Sequence, residues 1–427
     1  MALTGRAALL ALLGAVPVGL GAPWWAVVAM LLVVVALDLA LAPPVGRVRL
    51  ERDGDTACRL GETAEVRLRV TNTSSRRLRG LLRDAWGPSA GASPRDHALD
   101  VPAGERRVLV TVLRPSRRGD RLPDRVTVRA LGPLGVAARQ ASQPAPWRVR
   151  VQPAFASRKH LPEKLARLRQ LDGAVLMRAR GQGTEFDSLR EYVVGDDVRS
   201  IDWRATARQA DVMVRTWRPE RDRRLLVVID TGRTSAGRVG DAPRLDAALD
   251  AALLLGALAS RAGDRVDLLA MDREVRTAVE GAGRTELLSR LVDGLSLLEP
   301  ALVETDGRKL VSEVLRRSRR RSLVVLLTSL EPEAVRAGLL PHVLSLTSRH
   351  TLLVGSVSDP RTAELAAGRG DAAEVYAAAA ATRARAARAQ VADELTRLGA
   401  HVVEAPADRF ASAVSDGYLA LKAAGRL

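Results

Sequence analysis

From Ala7 to Ala42 the sequence is apolar with Asp38 as its one charge, bounded by Arg6 before it and by Arg47, Arg49 and Arg52 after it. That run is too long for one bilayer span and right for two short ones. Gly19-Leu20-Gly21-Ala22-Pro23 supplies a turn, and Trp24 and Trp25 follow where interfacial aromatics are expected. The pattern therefore predicts a transmembrane helical hairpin over residues 1–42, with helices near 5–21 and 24–42. Arginine at both outer ends and none in the turn places both ends in the cytoplasm. The expected location is the cell membrane, multi-pass with two spans and cytoplasmic soluble domains. A secretory signal competes, because Ala40-Leu41-Ala42 resembles a cleavage site. Pro43 would follow the cut, however, and the apolar region exceeds a signal core. Asp38, near the end of the second span, is expected at the membrane interface.

The remaining chain must be folded domains. At 427 residues it is long enough for two or three cores, and 47% hydrophobic with 27% charged residues argues against disorder. The net charge of +17 is almost all arginine, since lysine occurs only at Lys159, Lys164, Lys309 and Lys422. Arginine accompanied by abundant Ala, Gly, Leu and Val reflects GC-rich coding as much as a binding surface. The single Cys58 excludes an intrachain disulfide framework and a cysteine-rich zinc site.

Over residues 43–152 the period becomes two, as in Glu65-Val66-Arg67-Leu68-Arg69-Val70 and Arg125-Val126-Thr127-Val128. Turn clusters such as Thr71-Asn72-Thr73-Ser74-Ser75 and Arg117-Arg118-Gly119-Asp120 separate these stretches. The reading is an antiparallel β-sandwich whose arginines face solvent. His97 falls in what reads as a polar loop and is expected to be exposed. No catalytic constellation occurs there.

Residues 153–220 interleave carboxylates and arginines and hold Phe155, Phe186, Tyr192, Trp203 and Trp217. Such density predicts a structured loop system held by Arg–carboxylate forks and aromatic anchors. Gly181, Gly183 and Gly195 could cradle phosphate, but no Gly-Lys-Ser/Thr follows them. Asp196-Asp197 could bind a metal or act as acid and base, but adjacent side chains diverge and no histidine is near. A partner-docking surface and an internal ion-pair network are the two readings that remain, and they are compatible.

Gly183, Glu185, Phe186, Arg190, Tyr192, Gly195, Asp196, Asp197, Arg199, Ile201, Asp202, Trp203, Ala207 and Arg208 form a long pattern of fixed positions. It resembles the signature of the family called domain of unknown function 58. The layout is similar too: two spans, a β module, this signature and an α/β domain, covering essentially the whole chain.

Residues 221–427 alternate strands and helices, which predicts a doubly wound parallel sheet. Strands are expected at Arg224–Asp230, Arg265–Met271, Ser322–Thr328, Thr351–Val357 and His401–Glu404. Helices are expected at Arg244–Arg261, Thr285–Leu298, Asp306–Arg319, Glu331–Leu346 and Ala373–Leu398, with a last one at the C-terminus. Asp230 closes the first strand and the loop Thr231-Gly232-Arg233-Thr234 follows. This resembles the von Willebrand factor A domain, in which Asp-x-Ser-x-Ser, a threonine and a further aspartate hold Mg²⁺. By that resemblance Asp230, Thr234 and Thr305 match the metal site, while Gly232 and Ser329 stand where a hydroxyl and a carboxylate are expected. Arg233 adds positive charge. The degenerate set disfavours Mg²⁺ and leaves Asp230 as a helix cap or arginine partner, so no cofactor is expected.

The expected function is a membrane-anchored protein-interaction scaffold and not an enzyme, since no nucleophile elbow, zinc motif or phosphate loop occurs. The family resemblance implies a MoxR-type AAA+ ATPase partner and a chaperone-like role in assembly or cell-envelope maturation. A carboxylate-based hydrolase built on the aspartates of 196–202 is the first alternative. The second is binding of nucleic acid or anionic lipid through Arg316-Arg317-Ser318-Arg319-Arg320-Arg321. No specific nucleic acid is expected, because the arginines spread over every domain.

Overall fold

The computed structural model describes residues 2–178, 185–209, 211–218 and 223–426. It divides into two compact units, residues 1–154 and 155–427.

The first unit begins with two apolar helices, α1 (Gly5–Gly19) and α2 (Trp24–Leu41). They pack closely at Gly14, where a Cβ would come within 2.8 Å of Val27 Cγ1. Among the described residues one helix, α2 with the turn that extends it to Arg47, is long and apolar enough to cross a membrane, at mean hydropathy 2.6. The shorter α1 is also apolar.

The β-rich part of this unit comprises β1 (Val48–Gly54), β2 (Ala64–Asn72), β3 (Leu78–Trp86), β4 (Asp96–Val101), β5 (Arg106–Leu113), β6 (Pro123–Leu131) and β7 (Ala137–Gln143). One antiparallel sheet runs β1-β2-β5, a second runs β7-β6-β3-β4 with Ala2–Leu3 added at the β7 edge, and a small third pairs Val149–Gln152 with Ala57–Arg59 and Gly119–Arg121. Alternation turns Leu68 and Val70 of β2 inward against Leu78 and Leu82 of β3 and Val126 and Val128 of β6, in one shared core. The expectation of an exposed His97 is corrected. It lies on β4, buried, with Nε2 3.1 Å from Thr111 Oγ1, and burial pushes its pKa down. The cause is plain alternation, since His97, Leu99 and Val101 share the inner face of their strand. Arg52 and Asp84 form a bidentate pair in the same unit, neither with more than 1% of its side chain exposed. Trp86 Nε1 and Thr111 Oγ1 also donate to Asp84.

Both outer ends of the helical pair meet one turn of this unit, at residues 132–138. Before α1, Ala2–Leu3 pair with Ala137–Ala138, and the Thr4 hydroxyl donates to Gly135 O at 2.6 Å. At the end of α2, Asp38 accepts from the backbone amides of Leu134, Val136 and Ala137 at 2.7–2.8 Å and is fully buried.

The second unit opens with α3 (Leu161–Arg178), an element that the density of charge had hidden. Leu161, Leu165 and Leu168 recur at helical spacing and pack on the core, and the buried Lys164 ammonium pairs with Asp416 at 2.8 Å. A two-stranded ribbon follows, β8 (Glu185–Glu191) against β9 (Met213–Arg218). Next come β10 (Arg224–Asp230), α4 (Arg244–Arg261), β11 (Arg265–Met271), β12 (Val275–Val279), α5 (Leu287–Ser296), α6 (Gly307–Arg317) and β13 (Leu323–Leu327). Short helical turns over 332–347 lead to β14 (Thr351–Ser358), α7 (Pro360–Ala367), α8 (Ala372–Arg397), β15 (His401–Pro406) and α9 (Ala407–Ala423).

The sheet order is β12-β11-β10-β13-β14-β15. All neighbours are parallel except the edge strand β12, which runs antiparallel to β11 and was absent from the sequence reading. Leu225, Val227 and Ile229 of β10 face a core with α4, α5 and α9, while Leu226 and Val228 face α6 and α8. Burial on both faces explains the unbroken apolar run of this strand. Strand order reverses between β10 and β13, and such a reversal opens a crevice beyond the carboxyl ends of the strands.

Candidate functional site

Two regions carry the residues singled out by sequence. The first is the β8–β9 ribbon with its connecting loop. Gly181 and Gly183 lie outside the described residues. Glu185 and Phe186 fall on β8. Arg190 Nη2 donates to Asp196 at 2.6 Å, and the Val193 amide donates to the other oxygen at 3.0 Å. Those two contacts, the arginine foremost, hold the Asp196 carboxyl below the usual range. Gly195 has φ +110°, a conformation that suits glycine alone and lets the loop turn. Asp197 accepts from the Arg199 amide. Asp202 caps the short helix Trp203–Thr206 by accepting from the Arg204 and Ala205 amides at 3.0 Å, and it also accepts from Arg215 Nε at 2.8 Å. The Ala205 amide and then Arg215 lower its pKa.

The carboxylates of this loop are therefore occupied in folding it, and the described ion pairs are local to the ribbon. Met213 and Val214 of β9 are buried, but four apolar residues of the connecting loop are not. Trp203 is 69% exposed, Val193 60%, Val194 95% and Val198 62%. Tyr192 is half-buried and ties in through its backbone amide to Val212 O, while Arg199 and Arg208 point to solvent.

The second region is the crevice at the strand reversal. Asp230, at the end of β10, is buried, and four groups converge on it. Oδ1 accepts from the Gly232 amide at 2.8 Å and from the Thr305 hydroxyl. Oδ2 accepts from the Thr328 hydroxyl at 2.6 Å, and Ser235 Oγ donates to the Asp230 carbonyl at 2.6 Å. Burial pushes the Asp230 carboxyl up, and the Thr305, Thr328 and Gly232 donors only partly offset it. Thr234 lines the same cavity with Thr305, Thr328 and Ser329. Just beyond the end of β11, Asp272 accepts from Thr231 Oγ1 at 2.9 Å and Arg276 Nε at 2.7 Å. Burial works to raise Asp272, but Arg276, Thr231 and two backbone amides outweigh it and hold it low.

Asp230, Thr234 and Thr305, grouped in sequence by the resemblance alone, line one cavity here. Thr328 was missed, because its contact with Asp230 exists only once β13 lies beside β10. The donor set does not fit a divalent cation. Both oxygens of Asp230 already face hydroxyl or amide hydrogens, and Glu304, the other carboxylate lining the cavity, is paired with Arg233. Ser329, in place of the expected second carboxylate, accepts from Arg244 Nη1 at 3.2 Å, so a guanidinium sits where negative charge would be needed. At Gly232 a side chain would collide with Thr305 Oγ1, and the lost hydroxyl is thus coupled to the position of Thr305. Among the described residues no group of three His, Cys, Asp or Glu is placed to hold a metal ion.

Residues 188–399 match the family described as Protein of unknown function DUF58. The match runs from the ribbon through the Asp230 crevice to the end of α8. An uncharacterized protein of Mycobacterium tuberculosis is 29% identical over 188 residues, and so is one of Mycobacterium bovis. Each alignment covers 43% of this chain and 58% of the relative, so the chain spans little more than half the length of these relatives. Among solved structures, the CARDB domain of the PF1109 protein from Pyrococcus furiosus, in complex with di-metal ions, is 17% identical. It covers 24% of this chain and 86% of its own, at a TM-score of 0.19. The ASH / PapD-like domain of human CEP192 is 12% identical, covering 25% of this chain and 84% of its own, also at 0.19. Likenesses of this size carry no argument, and the β module rests on its own strand pairing.

Proposed function

We propose that this chain is a membrane-anchored, non-enzymatic docking scaffold whose β8–β9 ribbon is the recognition element. The division of labour within the ribbon carries the reading. Asp196, Asp197 and Asp202 build the loop, while Trp203, Val193, Val194 and Val198 are left exposed on it. Exposed apolar residues grouped on a built loop are the pattern of an interaction site. Resemblance to the family signature supplies the partner, a MoxR-type AAA+ ATPase, and with it a chaperone-like role in assembly or cell-envelope maturation. The strand order, with its one antiparallel edge, supports a von Willebrand factor A-like domain whose crevice is closed by threonine hydroxyls without an ion.

The anchor is a two-span hairpin in the cell membrane with the folded units in the cytoplasm. Its support is the meeting of both outer helix ends at the 132–138 turn, with arginine at those ends. A carboxylate hydrolase is less well supported, because Asp196 and Asp202 are each held low by donors and tied to an arginine.

Affinity capture from native membranes tests the reading, comparing the unaltered chain with Trp203→Ala and Val194→Asp. Recovery of an AAA+ ATPase that both variants lose supports docking. Equal recovery by both variants, or substrate turnover by the purified chain, overturns it.

A further inference from the structure

The parallel sheet gathers the starts of its strands along the edge opposite the Asp230 crevice. Leu323 of β13 pairs with Thr351 of β14, and the Thr351 amide donates to Ser322 O at 3.1 Å. Arg321 directly precedes Ser322, and Arg349 lies two residues before Thr351 in a turn where its amide donates to Leu346 O, so both arginines stand just ahead of these adjacent strands. Arg319, Arg321 and Arg349 are all exposed, and among the described residues none has a carboxylate partner. Beside them His350 is 3% exposed, yet neither of its ring nitrogens has a hydrogen-bond partner. Buried polar atoms are ordinarily paired, so two orphaned nitrogens next to unneutralised guanidinium groups need a reason. Burial first, and then Arg349 and Arg321, push the His350 pKa down, which keeps the ring neutral with one N–H to donate. On the next strand His401 repeats the feature, with Nε2 buried and unpartnered and Arg426 as its charged neighbour.

The geometry points to an anion site at the start of β13 and β14, where Arg321, Arg349 and His350 take a phosphoryl group. Arginine presents a fork that fits phosphate oxygens, and the buried imidazole adds a directional donor. The chemistry is shared by two sources, the phosphodiester of an anionic lipid headgroup and a free phosphate ion. The lipid source rests on the membrane reading above, and the free-ion source does not.

The full chain in neutral detergent tests this by thermal unfolding at constant ionic strength. Inorganic phosphate is compared with chloride, and phosphatidylglycerol doped into the micelles is compared with phosphatidylcholine. The expected result is a midpoint rise of about 3 °C with phosphate or with phosphatidylglycerol, whichever is the natural source. Arg321→Gln with Arg349→Gln should weaken the response at least about tenfold in apparent affinity, by loss of charge-assisted hydrogen bonds. Arg383→Gln, an exposed arginine on α8, should leave it unchanged. His350→Gln, chosen because it retains a donor, should keep part of the response and shows that a loss elsewhere is not misfolding. A response to both sources assigns a general phosphoryl site. No response to either, or a response that the double variant retains, overturns the proposal.

Discussion

Thr328, on the loop after β13, donates its hydroxyl to Asp230 Oδ2 at 2.6 Å, joining two loops on either side of the strand reversal. With Thr305 on the other oxygen, one buried carboxylate ties together three loops that are far apart in sequence. Thr328→Val keeps the shape and removes the donor. The expected cost is about 1–3 kcal/mol, because a buried carboxylate oxygen is left unsatisfied. A lower urea midpoint with an unchanged slope measures it, and Thr328→Ser should recover most of the loss.

The same arrangement predicts indifference to divalent cations. Saturating Mg²⁺ or Mn²⁺ should not raise the melting temperature of the full chain, since a ligand that binds only the folded state must stabilise it. Gly232→Ser introduces a hydroxyl where the resemblance to the von Willebrand factor A domain leads one to expect it. Here its Cβ meets Thr305 Oγ1, so the expected outcome is destabilisation and no gained ion. A cation-dependent rise in either protein would contradict the hydroxyl-closed site.

Asp230 also sets a pH dependence of known sign. Its folded pKa lies above the ordinary 3.8, so the folded state keeps a proton that the unfolded chain has lost. Stability from this group therefore declines as pH rises from near 3.8 through the raised folded value, and is level above it. Asp230→Asn removes that decline, and the variant should gain on the parent as pH rises through this window. Asp272 acts in the opposite sense: its pKa is held low, so its contribution is present above 3.8 and is lost as pH falls through the lowered value. Denaturation midpoints of parent and variant across the acid range give the difference curve. A difference that does not move with pH would show that Asp230 does not titrate there.

How much of this was legible in the sequence depended on whether the cause was local. The β10 run ending in Asp230 was visible because burial on both faces writes itself as consecutive apolar residues. The helices flanking Pro23 were visible as a long apolar run broken by a glycine-proline turn, and they were found at Gly5–Gly19 and Trp24–Leu41. β12 was not, because Arg276 interrupts a short exposed edge strand that has one buried residue, Val279. α3 was masked by charge, although Leu161, Leu165 and Leu168 keep helical spacing. Thr328 and His350 were beyond reach, since a partner or its lack follows from strand neighbours fixed only by the folded sheet.

Asp38 illustrates the reverse case, a residue marked by sequence whose task the structure defines. A lone charge near the end of an apolar helix suggests an interfacial position, yet Asp38 is fully buried against the β6–β7 turn and accepts three backbone amides. Gly132 lies so close that any side chain there would collide with the Asp38 carboxylate. Two substitutions should therefore be costly for different reasons. Asp38→Ala leaves the amides of Leu134, Val136 and Ala137 without their acceptor, a loss on the order of 3 kcal/mol or more. Gly132→Ala keeps the acceptor but drives it away. Both should speed proteolysis and hydrogen exchange at 132–138 in the full chain in detergent. Asp38→Asn should sit between the parent and Asp38→Ala, because one oxygen still accepts while the amide NH₂ faces other donors. If Asp38→Ala leaves exchange at Val136 and Ala137 unchanged, the carboxylate does not hold this turn to α2, and the fixed seating of the helical pair on the β module is lost with it.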